Sequence, residues 1–394
     1  MRHSDEPIIT TLLDTDSYKL SMGQLAYHHF HTATTRYAFK CRTPGVDLRP
    51  FSSQIREQVA YYQSLRFQPE EIAYLRSLPY SKETYLSYLS HYHGNWGDVE
   101  IGQANGEFTL EIHGSWVDTI LYEVPILSIV NEVYTRSLGE AGSGAVGEAR
   151  IQRKIEAVLN HPSKQDFRLV EFGTRRRWSA AWQERISQVL SEGLPRNIYL
   201  GTSNLALSRK HGDLPIGTMA HEYFQACQAV VPVQEFQEYA LNLWLQEFRG
   251  HLSIALSDIV GMRGFLRAFD YFFAKAYDGA RHDSGDPVEW CHQLMAHYEA
   301  LGIDPRTKTA IFSDGLSVEK SLELFGRFTG KINTVFAIGT NLTNDLGPTP
   351  LQIVIKMVEF NGRPVAKISD SPGKGMCQDP SFEAYLRSVY PVGD

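Results

Sequence analysis

A histidine follows a Gly-Thr turn in the segment LPIGTMAHEYFQA, which spans residues 214–226. The residues after the turn have a helical pattern, so His221 is predicted to lie at a helix start, where free backbone N–H groups attract anions. An imidazole in that position can meet a phosphate as a neutral nucleophile or as a cation. The plainer alternative is a histidine that only hydrogen-bonds beside a turn, and this segment alone leaves both interpretations open.

Small polar residues follow several apolar runs, in the segments GTSN, IGTMAH, FSDGL and AIGTNL. Their backbone N–H groups and hydroxyls could hold several phosphate oxygens. A Gly-Thr or Gly-Ser pair is also common at an ordinary strand-to-helix turn, where it only caps the helix. Four such segments on one rim favour a phosphorylated ligand. The chain has no GxxxxGK[ST] motif and no GxGxxG after a strand, so any ATP must bind in another way.

Three consecutive arginines, Arg175, Arg176 and Arg177, follow the apolar residue Phe172 in EFGTRRRWS. Such a run is usually solvated, and this is expected for two of the three. One arginine turned inward could bind a carboxylate or phosphate through two hydrogen bonds. Phe172 could then cover an aromatic ring.

Carboxylates stand beside an arginine in RHDSGDP, which contains Arg281, Asp283 and Asp286. This combination suits ribose hydroxyls, or Mg²⁺ together with an anion, but the same letters are typical of a capped turn. Asp258, in SIALSDIVG, is a further candidate for metal or water contact.

Another polar cluster lies near the N-terminus, in LLDTDSYKLSMGQ. A helix cap by Asp16 or Ser17 is its simplest explanation, with Tyr18 as an ordinary interfacial aromatic residue.

These residues need elements that bring them to one place, and a recurrent arrangement provides them. Seven times a short apolar run ends in Gly, Thr, Ser or Asp and is followed by a helical pattern. The runs are RLVEFGTRR, NIYLGTSN, LPIGTMAHE, SIALSDIVG, GARHDSGDP, TAIFSDGL and VFAIGTNL. They recur about every 28 residues, which is close to one strand–helix unit. The pattern predicts an α/β fold, an irregular parallel barrel of the TIM type whose rim carries the polar residues. A doubly wound open sheet is the alternative.

The N-terminal part has a different pattern. It predicts a strand in TTRYAFK, helices in SQIREQVAYYQSLRF, PEEIAYLRSL and KETYLSYLSHY, and a hairpin turning at Asn105-Gly106. An apolar helix is expected over 117–138, followed by a glycine-rich loop, AGSGAVGEAR. A second hairpin is expected around Asn361-Gly362. We therefore predict a smaller α/β domain, 1–138 joined by 351–394, and a barrel domain, 139–350.

Composition narrows the function classes. The net charge of −7 gives no basic field, so neither nucleic acid nor a membrane is an expected partner. The four cysteines are far apart without a CxxC pair, which is typical of a reducing compartment, and we expect a cytoplasmic protein.

Taken together and in order, seven motifs resemble nicotinate phosphoribosyltransferases, from residue 12 to the second hairpin. They are DTDSYKLSMGQ, EFGTRRR, GTSN, GTMAHE, RHDSGDP, FSDGL and AIGTNL. The resemblance implies formation of nicotinate mononucleotide and pyrophosphate from nicotinate and phosphoribosyl pyrophosphate, the step that opens NAD salvage from nicotinate. It also implies coupling to ATP hydrolysis, Mg²⁺ on the leaving group, and a homodimer if Tyr18 acts across subunits.

The resemblance also assigns roles to residues. His221 corresponds to the phosphorylated histidine, and Tyr18 and Phe172 to aromatic residues on either side of the pyridine ring. Arg175, Thr218 and Arg281 correspond to residues near the nicotinate carboxylate or the phosphates. Asp283 corresponds to a ribose-contacting aspartate. The 5′-phosphate residues correspond to Asp314, Gly315, Gly339 and Thr340.

Relatives that use nicotinamide carry an aspartate in the segment that reads GTSN here. The neutral Ser203 and Asn204 therefore favour the acid as substrate. A phosphoribosyltransferase for nicotinamide or quinolinate, and a non-catalytic relative that senses a nucleotide, remain as alternatives.

Overall fold

The computed structural model describes residues 6–139, 142–368, 375 and 377–391. Two β-sheets organise these residues: a five-stranded antiparallel sheet and a six-stranded parallel sheet. No helix in these ranges is both long and apolar enough to span a bilayer.

The bounds of the elements are as follows. The strands are β1 (Thr34–Cys41), β2 (Val99–Ala104), β3 (Glu107–Ser115), β4 (Leu169–Glu171), β5 (Tyr199–Thr202), β6 (Ile254–Leu256), β7 (Gly279–His282), β8 (Thr309–Phe312), β9 (Asn333–Ile338), β10 (Ile353–Phe360) and β11 (Arg363–Pro364). The helices are α1 (Ser17–His29), α2 (Ser52–Ser64), α3 (Pro69–Ser77), α4 (Glu83–His91), α5 (Trp116–Thr119), α6 (Glu123–Ser137), α7 (Gly144–Leu159), α8 (Ala180–Gly193), α9 (Leu205–His211), α10 (His221–Gln228), α11 (Phe236–Phe248), α12 (Gly261–Ala268), α13 (Tyr271–Ala276), α14 (Pro287–Ala300), α15 (Val318–Phe328), α16 (Thr340–Thr343) and α17 (Pro380–Val389).

The antiparallel sheet joins the two ends of the chain. Its order is β11-β10-β1-β3-β2, so β1 pairs with β3 on one side and with β10, more than 300 residues later, on the other. Both expected hairpins are confirmed. Asn105 and Gly106 have φ of 53° and 78°, and Asn361 and Gly362 have φ of 50° and 72°. Two consecutive positive φ angles match the right-handed twist of paired strands. The domain limits drawn from the sequence stay a prediction.

The parallel sheet is open, so the closed TIM-like barrel is not confirmed. Its order is β5-β4-β9-β8-β7-β6, and β5 and β6 are its edges. Six of the seven expected runs contain a strand, but residues 214–220 form none. Pro215 has no N–H to donate, and the segment reaches β5 through the N–H of Ile216 on the carbonyl of Thr202 (3.1 Å). It reaches β6 through the hydroxyl of Thr218 on the carbonyl of Ile254. Single hydrogen bonds therefore take the place of a strand's hydrogen-bond ladder in residues 214–220.

A series of phenylalanine rings forms part of the core between β8, β9 and α15. The ring centroids of Phe167 and Phe336 lie 5.2 Å apart, those of Phe336 and Phe312 5.4 Å, and those of Phe312 and Phe328 6.0 Å. All four side chains are fully buried. This aromatic layer fixes the spacing of the strands whose carboxyl ends carry the polar loops.

Two expectations about the middle of the chain are corrected. The helix expected over 117–138 is divided into α5 and α6, because Pro125 has no N–H for the carbonyl of Leu121; the hydroxyl of Tyr62 donates to that carbonyl instead (2.8 Å). The expected glycine-rich loop, residues 141–150, contains the start of α7; residue 141 lies outside the described residues. A Cβ on Gly147 would come within 2.3 Å of the ring of Trp182, so this glycine allows α7 to pack on α8.

Candidate active site

His221 is the first residue of α10, as the sequence predicts. The preceding turn packs directly on the start of α1: a Cβ on Gly217 would come within 2.2 Å of the Oγ of Ser17 and 3.2 Å of the backbone nitrogen of Tyr18. The hydroxyl of Ser17 donates to the carbonyl of Ile216 (3.1 Å). Only a glycine allows this approach, which brings the beginnings of two helices to one point.

Three charged side chains surround the imidazole of His221. Its Nε2 lies 2.8 Å from Oδ1 of Asp258, 2.8 Å from Nζ of Lys367 and 3.6 Å from Oδ2 of Asp283. Burial, and then the positive charge of Lys367, lower the pKa of His221 below its ordinary value. The imidazole is therefore neutral at neutral pH, which is the state that a nucleophile requires.

Asp258 is the fixed partner in this cluster. It is fully buried, and its Oδ2 accepts hydrogen bonds from Nζ of Lys367 (2.5 Å) and from the hydroxyl of Ser284 (2.7 Å). Burial opposes its ionisation, but Lys367 and His221 hold the pKa of Asp258 well below its usual value. The carboxylate of Asp258 is thus ionised where it contacts Lys367.

Lys367 is a site residue that the sequence reasoning missed. It follows β11 and is 5% exposed. The side-chain amide of Gln228, on α10, both donates to and accepts from the backbone of Ala366 (2.9 Å each), and the N–H of Ile368 donates to the carbonyl of Ile259 (3.1 Å). These contacts hold the backbone on both sides of Lys367. The second hairpin was the only available signal, and it gave no direction for this side chain.

The RHDSGDP segment is both a capped turn and part of the candidate site, so the two interpretations of its sequence hold for different residues. Asp286 caps α14, since its side chain accepts from the N–H groups of Val288 and Glu289. Asp283 instead joins the His221 cluster and accepts from the hydroxyl of Ser313 (2.8 Å). Burial raises the pKa of Asp283, but the charges of Arg281, His221 and Lys367 together outweigh it and the net shift is downward. Arg281 is 6% exposed, and its Nε is buried without a hydrogen-bond partner.

A cavity of about 510 Å³, open to solvent, lies beside this cluster. It brings together Tyr18, Arg175, His221, Lys356 and Lys367 within one chain. The remaining lining residues are Tyr37, Glu123, Ala220, Glu222, Gln225, Val354, Ile355 and Met357. Burial, and then the charges of Lys367 and Arg42, lower the pKa of Lys356 to about 7. The cavity thus offers cations to an anionic ligand, although the chain has a net charge of −7.

The three consecutive arginines have three different positions. Arg175 lines the cavity, with 44% of its side chain exposed and its Nη1 3.3 Å from Oε1 of Glu123. Arg176 donates to the carbonyl of Ile353 (3.1 Å). Arg177 is 2% exposed and binds both carboxylate oxygens of Asp14 at 2.6 and 2.7 Å. One arginine of the three is thus turned inward to a carboxylate, as expected, but it is Arg177 and the carboxylate is the protein's own Asp14, while Arg175 is exposed and Arg176 is half-buried.

Contrary to expectation, the side chain of Asp16 does not cap α1. It occupies the N-cap position, but its side chain makes no cap hydrogen bond. It accepts from the hydroxyl of Ser203 instead (2.7 Å), and Ser203 is fully buried. Burial raises the pKa of Asp16 despite this hydrogen bond. The segment GTSN is neutral, but a buried carboxylate from the N-terminal segment lies against it.

Glu171 is a second residue that the sequence reasoning missed. It is fully buried in β4, where its carboxylate accepts from the hydroxyl of Thr202 (2.6 Å), the side-chain amide of Gln183 (3.0 Å) and the N–H of Gly173. Burial raises its pKa to about 6. Glu171 joins the loops after β4 and β5 and so fixes the turn that carries Arg175.

The other expected phosphate residues follow β8 and β9, at the same edge of the parallel sheet as Asp283. Asp314 is half-buried, and Gly315 is exposed with φ of 59° and open space around it. Thr340 begins the four-residue α16. A Cβ on Gly339 would come within 2.8 Å of the carbonyl oxygen of Phe172, so a glycine is needed there.

Phe172 and Thr218, which were expected near the nicotinate or the phosphates, do not line the cavity described above. Phe172 is half-buried after β4, and Thr218 is 3% exposed with its hydroxyl engaged by the carbonyl of Ile254. Tyr18 lines the cavity of its own chain, so a second chain is not needed to bring it there.

A cation could be held between His221, Asp258 and Asp283, whose ligand atoms lie within 4.8 Å of one another. Mg²⁺ prefers carboxylate oxygens and keeps several waters, which fits the two aspartates better than the imidazole. Asp283 is the more accessible of the two, with 29% of its side chain exposed.

Comparison with known proteins identifies the family. The model of the nicotinate phosphoribosyltransferase family matches residues 167–394, and the model of its N-terminal domain matches residues 13–131. The chain is 49% identical over 386 residues to the nicotinate phosphoribosyltransferase of Bordetella bronchiseptica, covering 97% of this chain and 95% of the relative. It is 49% identical over 389 residues to that of Burkholderia mallei, covering 98% and 97%.

Solved structures agree with these sequence relatives. The structure of nicotinate phosphoribosyltransferase from Vibrio cholerae has a TM-score of 0.94 at 39% identity, covering 99% of this chain and 95% of that one. A structure of a protein described as a nicotinate phosphoribosyltransferase of Saccharomyces cerevisiae has a TM-score of 0.91 at 31% identity, covering 99% and 100%. The chain belongs to the nicotinate phosphoribosyltransferase family.

Proposed function

We propose that this protein forms nicotinate mononucleotide and pyrophosphate from nicotinate and phosphoribosyl pyrophosphate, and couples the reaction to ATP hydrolysis through His221. The observation that carries the proposal is the imidazole of His221 at a helix start, held by Asp258 and Lys367 in one cavity with Tyr18 and Arg175. The family and the close relatives support the same reaction.

In the glycosyl transfer, the ring nitrogen of nicotinate attacks the anomeric carbon of the ribose. The bond from that carbon to pyrophosphate breaks, and pyrophosphate leaves with the electron pair. The protein contributes orientation and charge. Tyr18 stacks on the pyridine ring, and Arg175 binds its carboxylate.

Remaining contacts are assigned from the family resemblance and from position. Phe172 covers the other side of the ring. Asp283 contacts the ribose, and the guanidinium of Arg281, whose Nε has no protein partner, faces a phosphate. The hydroxyl of Thr218 is used by a backbone carbonyl, so Thr218 acts through its backbone. The 5′-phosphate is held by Asp314, Gly315, Gly339 and Thr340.

In the coupling step, a ring nitrogen of His221 attacks the γ-phosphorus of ATP. The bond to the bridging oxygen breaks, and ADP leaves with the electron pair. Water later hydrolyses the phosphohistidine, which restores the imidazole and releases phosphate. The lowered pKa of His221 supports this role, because a protonated imidazole has no lone pair to donate.

Mg²⁺ would be held by Asp283 and Asp258 and would neutralise charge on the phosphates of the substrates. Of these two residues, Asp283 is the more accessible ligand, and Asp258 also orients His221.

Two further expectations belong to this proposal. Cytoplasmic location is supported by four cysteines that are all free. The homodimer rests on the family resemblance alone, because Tyr18 reaches the cavity of its own chain. Light scattering after gel filtration measures the mass directly, and a mass of one chain would contradict the dimer.

The first experiment measures pyrophosphate release from phosphoribosyl pyrophosphate with nicotinate, nicotinamide or quinolinate, each with and without ATP. Nicotinate should give the highest rate, and ATP should stimulate it. His221→Ala should remove the stimulation, while His113→Ala, a half-exposed histidine on β3, should retain it. If pyrophosphate is released with none of the three bases, the result would instead favour a non-catalytic relative that senses a nucleotide.

A further inference from the structure

Lys19 is a fully buried cation between two carboxylates. Its Nζ lies 2.5 Å from Oε2 of Glu123 and also binds Oε1 of Glu222. Its side chain is 0% exposed, and burial alone would lower its pKa, yet the two carboxylates raise the pKa of Lys19 above its ordinary value. The ammonium group is therefore charged in the interior of the protein.

Both carboxylates line the cavity, and each neighbours a different part of the proposed site. Glu123 contacts Arg175, and Lys19 itself follows Tyr18 in the chain, so this side belongs to the nicotinate ring and its carboxylate. Glu222 follows His221 in α10, so the other side belongs to the phosphorylated histidine. Lys19 is the charged connection between them.

The connection is tightly held on both sides. The hydroxyl of Tyr37 donates to Oε2 of Glu222 (2.8 Å), so both oxygens of this carboxylate are used. The two oxygens of Glu123 bind Lys19 and Arg175. Two cations and two anions thus alternate from Arg175 to Glu222, and a charge added at either end changes the balance of every contact in the series.

We infer that Lys19 is a positioning residue that makes phosphorylation of His221 and binding of nicotinate at Arg175 depend on each other. The inference rests on the proposed ATP coupling through His221. A phosphoryl group would add about two negative charges on the residue that precedes Glu222 in α10, and nicotinate would add one at Arg175, which binds Glu123. Both act on the ammonium of Lys19, so each ligand changes the affinity for the other by the same factor.

The test compares the Kd of nicotinate for the unphosphorylated protein with that for protein phosphorylated on His221, with phosphorylation verified by mass. The ratio of these two values removes any direct effect of a substitution on nicotinate binding. In the native protein the ratio should differ from one by about 5-fold or more, which is the lower range of typical coupling between sites.

The informative variant is Lys19→Met with Glu222→Gln, because it removes the connection without leaving an unpaired buried charge: Glu123 keeps Arg175. Its ratio should fall to within about 2-fold of one. Glu222→Gln alone should reduce the ratio in the same direction and serves if the double variant does not fold. Lys308→Met is the matched control, since Lys308 is also buried but binds the carbonyl of Tyr277 before β8; it should keep the native ratio.

A native ratio in the double variant, or an equal loss in Lys308→Met, would overturn the role of Lys19. A native protein that ATP does not phosphorylate would overturn the proposed coupling and this inference with it, and that result is visible before any variant is made.

Discussion

At the scale of single residues, Asp258 and Lys367 compete for one nitrogen of His221. An ammonium group can only donate and an ionised carboxylate can only accept. The neutral ring therefore accepts from Lys367 when its proton is on Nδ1, and donates to Asp258 when its proton is on Nε2. Both contacts measure 2.8 Å. This arrangement orients the ring before a phosphoryl group arrives.

Removing Lys367 should raise the pKa of His221. Lys367 is the main cause of the lowered pKa after burial, and Asp258 would remain to stabilise the imidazolium form. We expect Lys367→Met to move the pKa of His221 upward and to shift the onset of phosphorylation to higher pH. Titration of the histidine ring resonances by NMR measures the change. Lys210→Met, on the surface, should leave the pKa of His221 where it is; an unchanged or lower value in Lys367→Met would contradict the prediction.

Ser203→Asp should lower kcat/KM for nicotinate by about tenfold or more. The new carboxylate would lie within hydrogen-bond distance of Asp16 in a fully buried position, where like charges repel, and it would add negative charge near the nicotinate carboxylate. Ser203→Ala is the control, since it loses one hydrogen bond worth about 1–3 kcal/mol. Steady-state kinetics and urea unfolding separate the two effects. Equal kinetics for Ser203→Asp and the native protein would refute this placement of Ser203.

At the scale of elements, the active site depends on close approaches between helices and loops. Gly217 precedes α10 and Gly339 precedes α16. At both positions a side chain would clash with neighbouring atoms. The side-chain amide of Gln228 pairs with the backbone of Ala366 and so connects α10 to the segment that carries Lys367. Helix α10 thus carries His221 at one end and positions the partner of His221 from the other.

Two helical glycines provide a test of packing against helix propensity. Gly147→Ala in α7 should destabilise the protein by about 1–3 kcal/mol, because the added methyl group meets Trp182. Gly326→Ala in α15 should stabilise it by up to about 1 kcal/mol, because nothing lies within 4 Å and alanine favours the helix. Urea unfolding measures both. If the free energy of unfolding changes in the same direction in both variants, close packing does not decide the effect.

At the scale of the whole molecule, one carboxylate joins α1 to α11. Glu247 is 2% exposed and accepts from His28 (2.9 Å), His29 (3.1 Å), Lys82 (2.8 Å) and Gln24 (2.9 Å). Because α1 begins at the active site with Ser17 and Tyr18, this cluster at its far end holds the helix in place. Burial opposes ionisation, but the hydrogen bonds from His29, Lys82 and His28 lower the pKa of Glu247 from 4.5 to about 2.

The stability contributed by Glu247 should depend on pH in a defined window. A carboxyl group whose pKa is lower in the folded state stabilises the fold fully above its unfolded pKa and loses this effect as the pH falls through the folded value. The window therefore runs from about 4.5 down to about 2. Glu247→Gln should lower the free energy of unfolding at pH 7 by about 3 kcal/mol, and the difference from the native protein should narrow below pH 4.5. A difference in the free energy of unfolding between the two proteins that stays constant across this pH window would refute the prediction.

The sequence by itself determined the features that depend on neighbours in the chain. The Asn-Gly turns of both hairpins are local, because two residues set the positive φ angles. The start of α10 at His221 is local as well, and so are the strands that end one or two residues before Asp258, Asp283 and Asp314. The ordered motifs also identified the family before any contact was known.

Only the tertiary structure decided which distant groups meet. Lys367 reaches His221 across 146 residues of chain, and nothing in the neighbouring residues of either one specifies that contact. Arg175 and Arg177 are two residues apart, but one lines the cavity and the other pairs with Asp14, because the N-terminal segment provides a carboxylate for the second. The parallel sheet is open between β5 and β6 since residues 214–220 make single contacts instead of a ladder. In each case the outcome is set by partners that the fold brings together, and a local pattern contains no information about them.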